Sequence, residues 1–273
     1  DSTNEIIKSF QQKNHNIDLI EYTERQGKAN IINKLVKKAK GEILIFTDAN
    51  VYFDSQTIYE LTKHYKNEKI GQVGGNIINT NLKETGISIP EKNYLDIEKE
   101  IKFNEGKLWG TMIGAFGGCY SMRKKLYRDV PQGYLMDDFY VSMGVLDDNY
   151  KAIFETNATC FEDVSDKISE EFRRKVRISA GNFQNLFSYK HILFKPNFGL
   201  IFSFLSHKVL RWKTPLFIII TLLISCYLGV SSEFYLQLFY LQLMLFVPLL
   251  LDLIFRLVGL NIKPLRFVTH FFA

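Results

Sequence analysis

Five short clusters in this chain carry residue types suited to polar group transfer. Asp48-Ala49-Asn50 directly follows the apolar run ILIFT. Two oxygen-bearing side chains two residues apart at a strand end can converge on a hard cation, and Mg2+ or Mn2+ takes oxygen ligands while keeping substrate phosphates in its shell. Asp137-Asp138 lies in GYLMDDFYVSMG and opens a helical pattern. A helix N-terminus favours negative charge, which accounts for one carboxylate better than for two, and one of the pair suits a general base acting on a hydroxyl. Arg173-Arg174-Lys175-Val176-Arg177 lies on a further helical pattern. Arg174 and Arg177 share a face there, and their planar forks match phosphate oxygens. Gly27-Lys28-Ala29-Asn30 places a cation and free amides at a helix start, which makes an anion site without the P-loop pattern. Gly114-Ala115-Phe116-Gly117-Gly118-Cys119-Tyr120 is a small-residue segment that lets backbone approach a ligand. Each cluster also has a plain structural reading: an acidic turn, a helix cap, a solvated basic face, a tight bend.

The elements that must position these clusters alternate. Ile17–Thr23, Glu42–Thr47, Gly71–Ile78, Ile113–Met122 and Ala152–Cys160 read as strands. Ala29–Ala39, Thr57–Tyr65, Tyr94–Lys107, Asp137–Leu146 and Glu170–Tyr189 read as helices. The short apolar run before Asp48 predicts a buried parallel strand. Alternation of this kind predicts an α/β layer fold, whose ligands bind beyond the carboxyl ends of the strands.

Beyond residue 195 the character changes. The whole chain is 47% apolar, but its last 78 residues are dominated by Leu, Phe and Ile. Thr214–Ser232 and Phe234–Leu251 are uncharged runs long enough to span a bilayer. The turn between them, Ser231-Ser232-Glu233, has no basic residue, whereas Lys208, Arg211 and Lys213 precede the first run and Arg256, Lys263 and Arg266 follow the second. That asymmetry predicts a hairpin with an external turn and both outer flanks in the cytosol. Asp252 and Arg256 are one turn apart and predict an ion pair. Val268–Ala273 reads as the start of a third span, and Asn197–Arg211 as an amphipathic helix in the interface.

Three divisions follow: a cytosolic domain over 1–195, an interfacial helix over 196–213 and a membrane region over 214–273. The formal net charge of +5 is spread along the chain and flanks apolar runs, so it points to lipid headgroups and not to nucleic acid. Cys119, Cys160 and Cys226 have no metal-ligand spacing and read as reduced thiols, and the histidines show no ligand pattern. The chain opens on Asp1-Ser2-Thr3-Asn4, a turn and helix cap, and closes at Phe271-Phe272-Ala273 within an apolar stretch, so both ends read as internal to a longer protein.

The order of these clusters carries more than any one of them. Lys28, then Asp48-Ala49-Asn50, then Gly117-Gly118, then Asp137-Asp138, then Arg174 to Arg177, then apolar spans: this resembles the processive family 2 glycosyltransferases, the group of cellulose, hyaluronan, chitin and poly-N-acetylglucosamine synthases. The resemblance implies a GT-A (Rossmann-like) nucleotide-sugar domain followed by transmembrane helices in a multi-pass cell-membrane enzyme. It also implies a nucleotide-diphosphate sugar donor, a UDP-sugar above others, a saccharide or lipid acceptor, and Mg2+ or Mn2+. Lys28 then lies near the nucleotide. Asp48 and Asn50 stand at the DxD motif that meets diphosphate and metal, with Asn in place of the usual second Asp. Asp138 is the base and Asp137 its partner carboxylate, while Gly117, Gly118, Arg174 and Arg177 border the donor. Arg174-Lys175-Val176-Arg177-Ile178 stands at the QxxRW motif, with Arg for Gln and Ile178 for Trp. That departure leaves open a single-addition transferase working on a polyprenyl phosphate or other lipid acceptor. A non-catalytic membrane protein retaining the fold is a third reading. The resemblance further places the family's N-terminal strand, with part of its uridine pocket, before residue 1.

Overall fold

In the computed structural model the described residues are 2–80, 88–163, 168–258, 260, 262 and 265. Five strands form one sheet in the order β1-β4-β3-β5-β2. They are β1 (Ile43–Thr47), β2 (Val51–Phe53), β3 (Ile70–Thr80), β4 (Cys119–Arg123) and β5 (Lys151–Asp163). β3 and β5 run parallel, and the other pairings are antiparallel. The run before Asp48 is therefore an antiparallel edge strand and not a parallel interior one. Its apolar residues cover both faces all the same: Leu44 and Phe46 pack on one face with Tyr120 and α2 (Lys28–Lys38), while Ile45 on the other face packs with Val73 and Ile77. Composition reports burial of the two faces and is silent on strand direction.

The remaining helices are α1 (Thr3–Lys13), α3 (Thr57–Thr62), α4 (Ser88–Trp109), α5 (Asp137–Asp147), α6 (Ile168–Tyr189), α7 (Phe198–Ser203), α8 (Leu210–Gly229) and α9 (Glu233–Leu257). α2 buries Ala29 and Val36 and ends on Lys37 and Lys38, which complement its dipole. The core joins α2, β1, β4, α5 and β5 to the end of α6 and to α7, through Leu44, Met122, Val141, Phe154, Tyr189 and Leu200.

Three expectations change. Ile17–Thr23 has no ladder partner and is not a strand. Its alternation is genuine, but a strand needs a neighbour, and β1 pairs only with β4 among the described residues. Of Ile113–Met122 only the portion from Cys119 onward is strand; the Gly-rich part before it is a loop bent by Gly114 at φ +69°. Asn197–Arg211 is not a separate surface helix. α7 continues through a π-helical stretch, Phe204–Val209, straight into α8, with Leu200, Phe204, His207 and Lys208 buried against the domain. The expected span Phe234–Leu251 falls within α9, and Thr214–Ser232 follows α8 as far as Gly229, where that helix ends; the helical stretches Phe198–Gly229 and Glu233–Asp252 are long and apolar enough to cross a membrane. The expected third span and the side chain of Arg256 lie outside the described residues.

Candidate active site

The antiparallel register pairs Thr47 with Cys119, which sets Asp48 opposite Gly118 at the carboxyl end of β1. A Cβ on Gly118 would lie 2.9 Å from the Val51 side chain and 3.8 Å from Asp48 Oδ2. A Cβ on Gly117 would stand 2.8 Å from Asp138 Oδ2. Two adjacent glycines thus separate two carboxylates borne on different elements, and neither position has room for a side chain. Lys28, in the first turn of α2, closes the arrangement by donating to Asp48 Oδ1 at 2.9 Å.

Lys28, Asp48, Gly117 and Asp138 line a cavity of about 290 Å3 with Thr47, Tyr120, Asp137 and the apolar flank of α2. Asp137 and Asp138 occupy the first turn of α5, where unpaired backbone amides favour anions. Asp138 Oδ1 accepts from Phe139 N–H at 2.8 Å. Burial and the neighbouring Asp137 push the Asp138 carboxyl up to about 6, and the Phe139 amide, Lys28 and Lys102 restrain it only in part. Lys28 responds oppositely. Burial works against its charge, but Asp137, Asp48 and Asp138 outweigh it and raise its pKa, so the ammonium persists. Burial beside Asp138 and Asp137 also drives the Tyr120 phenol well above its ordinary range, so it stays a hydroxyl.

Asn50, Gly118, Arg174 and Arg177 do not line this cavity. Asn50 Nδ2 donates to Glu162 Oε1 at 3.1 Å across the β2–β5 pair. Asp48 and Asn50 each carry a side-chain oxygen of the type a divalent cation takes together with diphosphate oxygens, and in this structure they engage Lys28 and Glu162 respectively. Among the described residues no group of three His, Cys, Asp or Glu side chains gathers as a ready-made metal site.

Arg174 and Arg177 are exposed on α6. They share a helical stripe with Gly181, whose absent Cβ would lie 2.5 Å from Met136. Asn185, on the same stripe, donates to Met136 O at 3.1 Å, and Gln184 bonds Leu135 N–H and Gly133 O. Gly181, Gln184 and Asn185 thus fasten α6 to the segment that delivers Asp137 and Asp138, and the two arginines lie one and two turns earlier on that helix. Arg123, by contrast, is structural: it donates to the backbone carbonyls of Ile70, Tyr65 and Asn67.

Two participants were missed in the sequence. Ser142 donates to Asp138 O and accepts from Ala115 N–H, tying the Gly-rich loop to the helix of the acids. Lys102 donates to the carbonyls of Ile113 and Gly114 in that same loop. The available signal was the charged stripe Glu98, Lys102, Glu105 on α4, which by itself looks like a solvated face.

Residues 1–130 match the family model described as Glycosyl transferase family 2. The chain is 29% identical over 193 residues to a poly-beta-1,6-N-acetyl-D-glucosamine synthase of Staphylococcus epidermidis, and 26% identical over 195 residues to that of Staphylococcus aureus. Each alignment covers 68% of this chain and 46% of the relative, so the chain spans about half the length of the curated relatives it matches. Among solved structures it is similar to the mannosyltransferase PcManGT from Pyrobaculum calidifontis, with a TM-score of 0.57 and 18% identity over 89% of this chain and 71% of that one. These likenesses show a GT-A glycosyltransferase fold.

Proposed function

We infer, from a chain that carries a glycosyltransferase family 2 domain, that it moves a sugar from a nucleotide-diphosphate sugar to a hydroxyl acceptor at the cytosolic face of a membrane. One observation carries this reading: Lys28, Asp48, Gly117, Asp137 and Asp138, far apart in sequence, line a single cavity beside the end of β1. The donor is a UDP-sugar and the acceptor a growing saccharide. The poly-beta-1,6-N-acetyl-D-glucosamine synthases among the relatives support a cell-envelope polysaccharide as product.

Asp138, as a carboxylate, takes the proton of the acceptor hydroxyl. That oxygen forms a bond to the anomeric carbon on the face opposite the leaving group, the bond from the anomeric carbon to the diphosphate oxygen breaks, and the configuration inverts. Asp137 keeps the acceptor side acidic and raises the basicity of its neighbour. Lys28, Arg177 and Arg174 offset the charge on the departing diphosphate. Asp48 and Asn50 would hold a divalent cation, Mg2+ or Mn2+, which supplies Lewis-acid stabilisation of that same charge. The Mn2+ and GDP-Man in the PcManGT complex support this assignment. Gly117 and Gly118 admit donor backbone contacts that any side chain would block.

For the membrane half, α8 and α9 turn Leu223, Tyr227, Leu241 and Met244 outward, a surface suited to lipid. Ser225 donates to Gln242 Oε1 between the two helices at 2.9 Å. Residues 1–195 are then the cytosolic domain, 196–213 the membrane-proximal helix and 214–273 the membrane region of a multi-pass protein. A second reading is transfer of one sugar to a lipid acceptor. Ile178, which stands where the processive synthases have Trp, favours it.

The test is a screen of nucleotide-sugar donors with the full chain in membranes, with product length as the second readout. A ladder of oligomers is expected, a single addition product would establish the lipid-acceptor reading, and no donor turnover would reject both.

A further inference from the structure

A buried ion cluster sits between α4 and the helix that leads toward α8, away from the cavity. Glu98 is at its centre, 5% exposed, with Lys208, Arg211 at 2.9 Å and Lys102 at 3.4 Å around its carboxylate. Burial would protonate Glu98, but Lys208, Lys102 and His207 outweigh burial and hold it ionised. His207 lies between Glu98 and Glu105 of α4. Its Nδ1 meets Glu105 Oε1 at 2.8 Å, and its Nε2 lies 3.0 Å from Glu98, out of line for a hydrogen bond. Charges so deep in a protein are costly unless every one is matched, and apolar residues of equal volume commonly serve stability as well. Conformational specificity is the alternative reason for such a cluster.

Its contacts show what is specified. Lys102, 3% exposed, donates to Ile113 O at 2.7 Å and to Gly114 O, and faces the Phe116 ring at 5.1 Å. Glu105 Oε2 accepts from Ile113 N–H at 3.0 Å. Both polar groups of Ile113, and the carbonyl of the left-handed Gly114, are therefore held by α4 side chains. The next amide, Ala115 N–H, bonds Ser142 at 3.1 Å, and Gly117 then passes over Asp138. From the other side, Trp212 of α8 packs edge-on against Phe139 at 5.4 Å between ring centres.

We propose that Lys102 is a positioning residue. With Glu105 and His207 it fixes the 113–118 loop over Asp138, so the alignment of the base depends on the docked membrane-proximal helix. This rests on the proposed transferase reading, and the experiment separates the two by following the loop without reference to turnover.

Amide exchange of the full chain in lipid nanodiscs is measured for wild type, Lys102→Met, Lys102→Arg and His207→Gln. In K102M the amides of 113 and 115 are expected to exchange about 10-fold faster or more while β3 and β5 keep their protection, and K102R restores most of it. Transfer kinetics on the same samples should show kcat down roughly 10-fold with the donor KM moved less than about 3-fold, as expected when an aligned group is loosened and not lost. Unchanged exchange in the loop overturns the proposal whatever the kinetics. A loosened loop with unchanged kcat also overturns it. Wild type without transfer to any acceptor rejects the transferase reading, while the exchange result still decides what holds the loop. If K102M does not fold, H207Q keeps the test: it leaves Lys102 in place, cuts the link from the helix to Glu105, and must loosen the same amides.

Discussion

Asp138 has its carboxylate pressed against Gly117, with Asp137 beside it and a cavity in front. Its folded pKa, about 6, lies above the ordinary carboxylate value near 3.8. Such a group binds its proton more tightly when folded, so it favours the folded state at low pH and that contribution is lost as pH rises through 6. Two outcomes follow. In membranes, kcat should fall below about pH 6 as the base is protonated, read as an acidic limb in the pH–rate profile. Asp138→Asn should lower kcat by about 100- to 10,000-fold, and at pH 8 the same variant should gain about 1–2 kcal/mol of stability in a thermal melt, discounted for water that reaches the cavity. Retention of most activity by D138N would remove Asp138 as the base. Gly117→Ala drives a methyl to 2.8 Å from the carboxylate oxygen, and a loss of at least about 10-fold in kcat is expected with the fold intact. Most of these residues were legible in the sequence, because acids that follow a strand or open a helix advertise their location. Lys102 was not. A charged i, i+4, i+7 stripe looks the same whether water or protein covers it, and only the packing of α7 and the π-helical stretch on α4 makes that stripe interior.

At the scale of elements, helix α6 acts through its stripe of Arg174, Arg177, Gly181 and Asn185. Gly181 and Asn185 pack on Met136, and Arg177 and Arg174 lie exposed one and two turns earlier. Asn185→Ala removes two buried donations, to Met136 O and Gly181 O, and should cost about 2 kcal/mol in a denaturant titration. Arg177→Ala, on an exposed site, should leave that titration unchanged and lower kcat/KM for the donor roughly 10- to 100-fold, the range for one charge-assisted hydrogen bond to phosphate. Helix periods were legible to within two residues at the ends of α2, α5 and α6, whereas α4 starts six residues ahead of the expected Tyr94 and α1 was not read as a helix. Strand partnership was not. Ile17–Thr23 has the alternation of a strand and no ladder, and Glu42–Thr47 has the apolarity of an interior strand and an edge position. Pairing is a property of two segments, and a pattern in one of them carries no record of the other.

For the molecule as a whole, the basic flanks and the short Ser231-Ser232-Glu233 turn yield a topology that cysteine labelling can check. A cysteine placed at Ser231, in a chain with Cys226 replaced, should react with a membrane-impermeant maleimide from outside intact cells. One placed at exposed Lys66 should react only after permeabilisation. Divalent dependence belongs to this scale too: excess chelator should abolish transfer and Mn2+ restore it, whereas full activity in chelator would remove Asp48 and Asn50 from a metal role.

The unbroken helical path from Phe198 to Gly229 also bears on how the protein can be handled. Proteins with a soluble head and a membrane anchor usually offer a seam where the two can be parted, and here no such seam exists. Ending the chain ahead of Phe198 would strip His207, Lys208 and Arg211 from Glu98 and leave Lys102 facing two acids in a newly opened interior. A buried pair broken in this way costs about 3–5 kcal/mol, a large part of what holds any domain together. The α/β domain is thus not expected to detach intact, and an excised head should come out aggregated or unfolded however carefully its boundary is chosen.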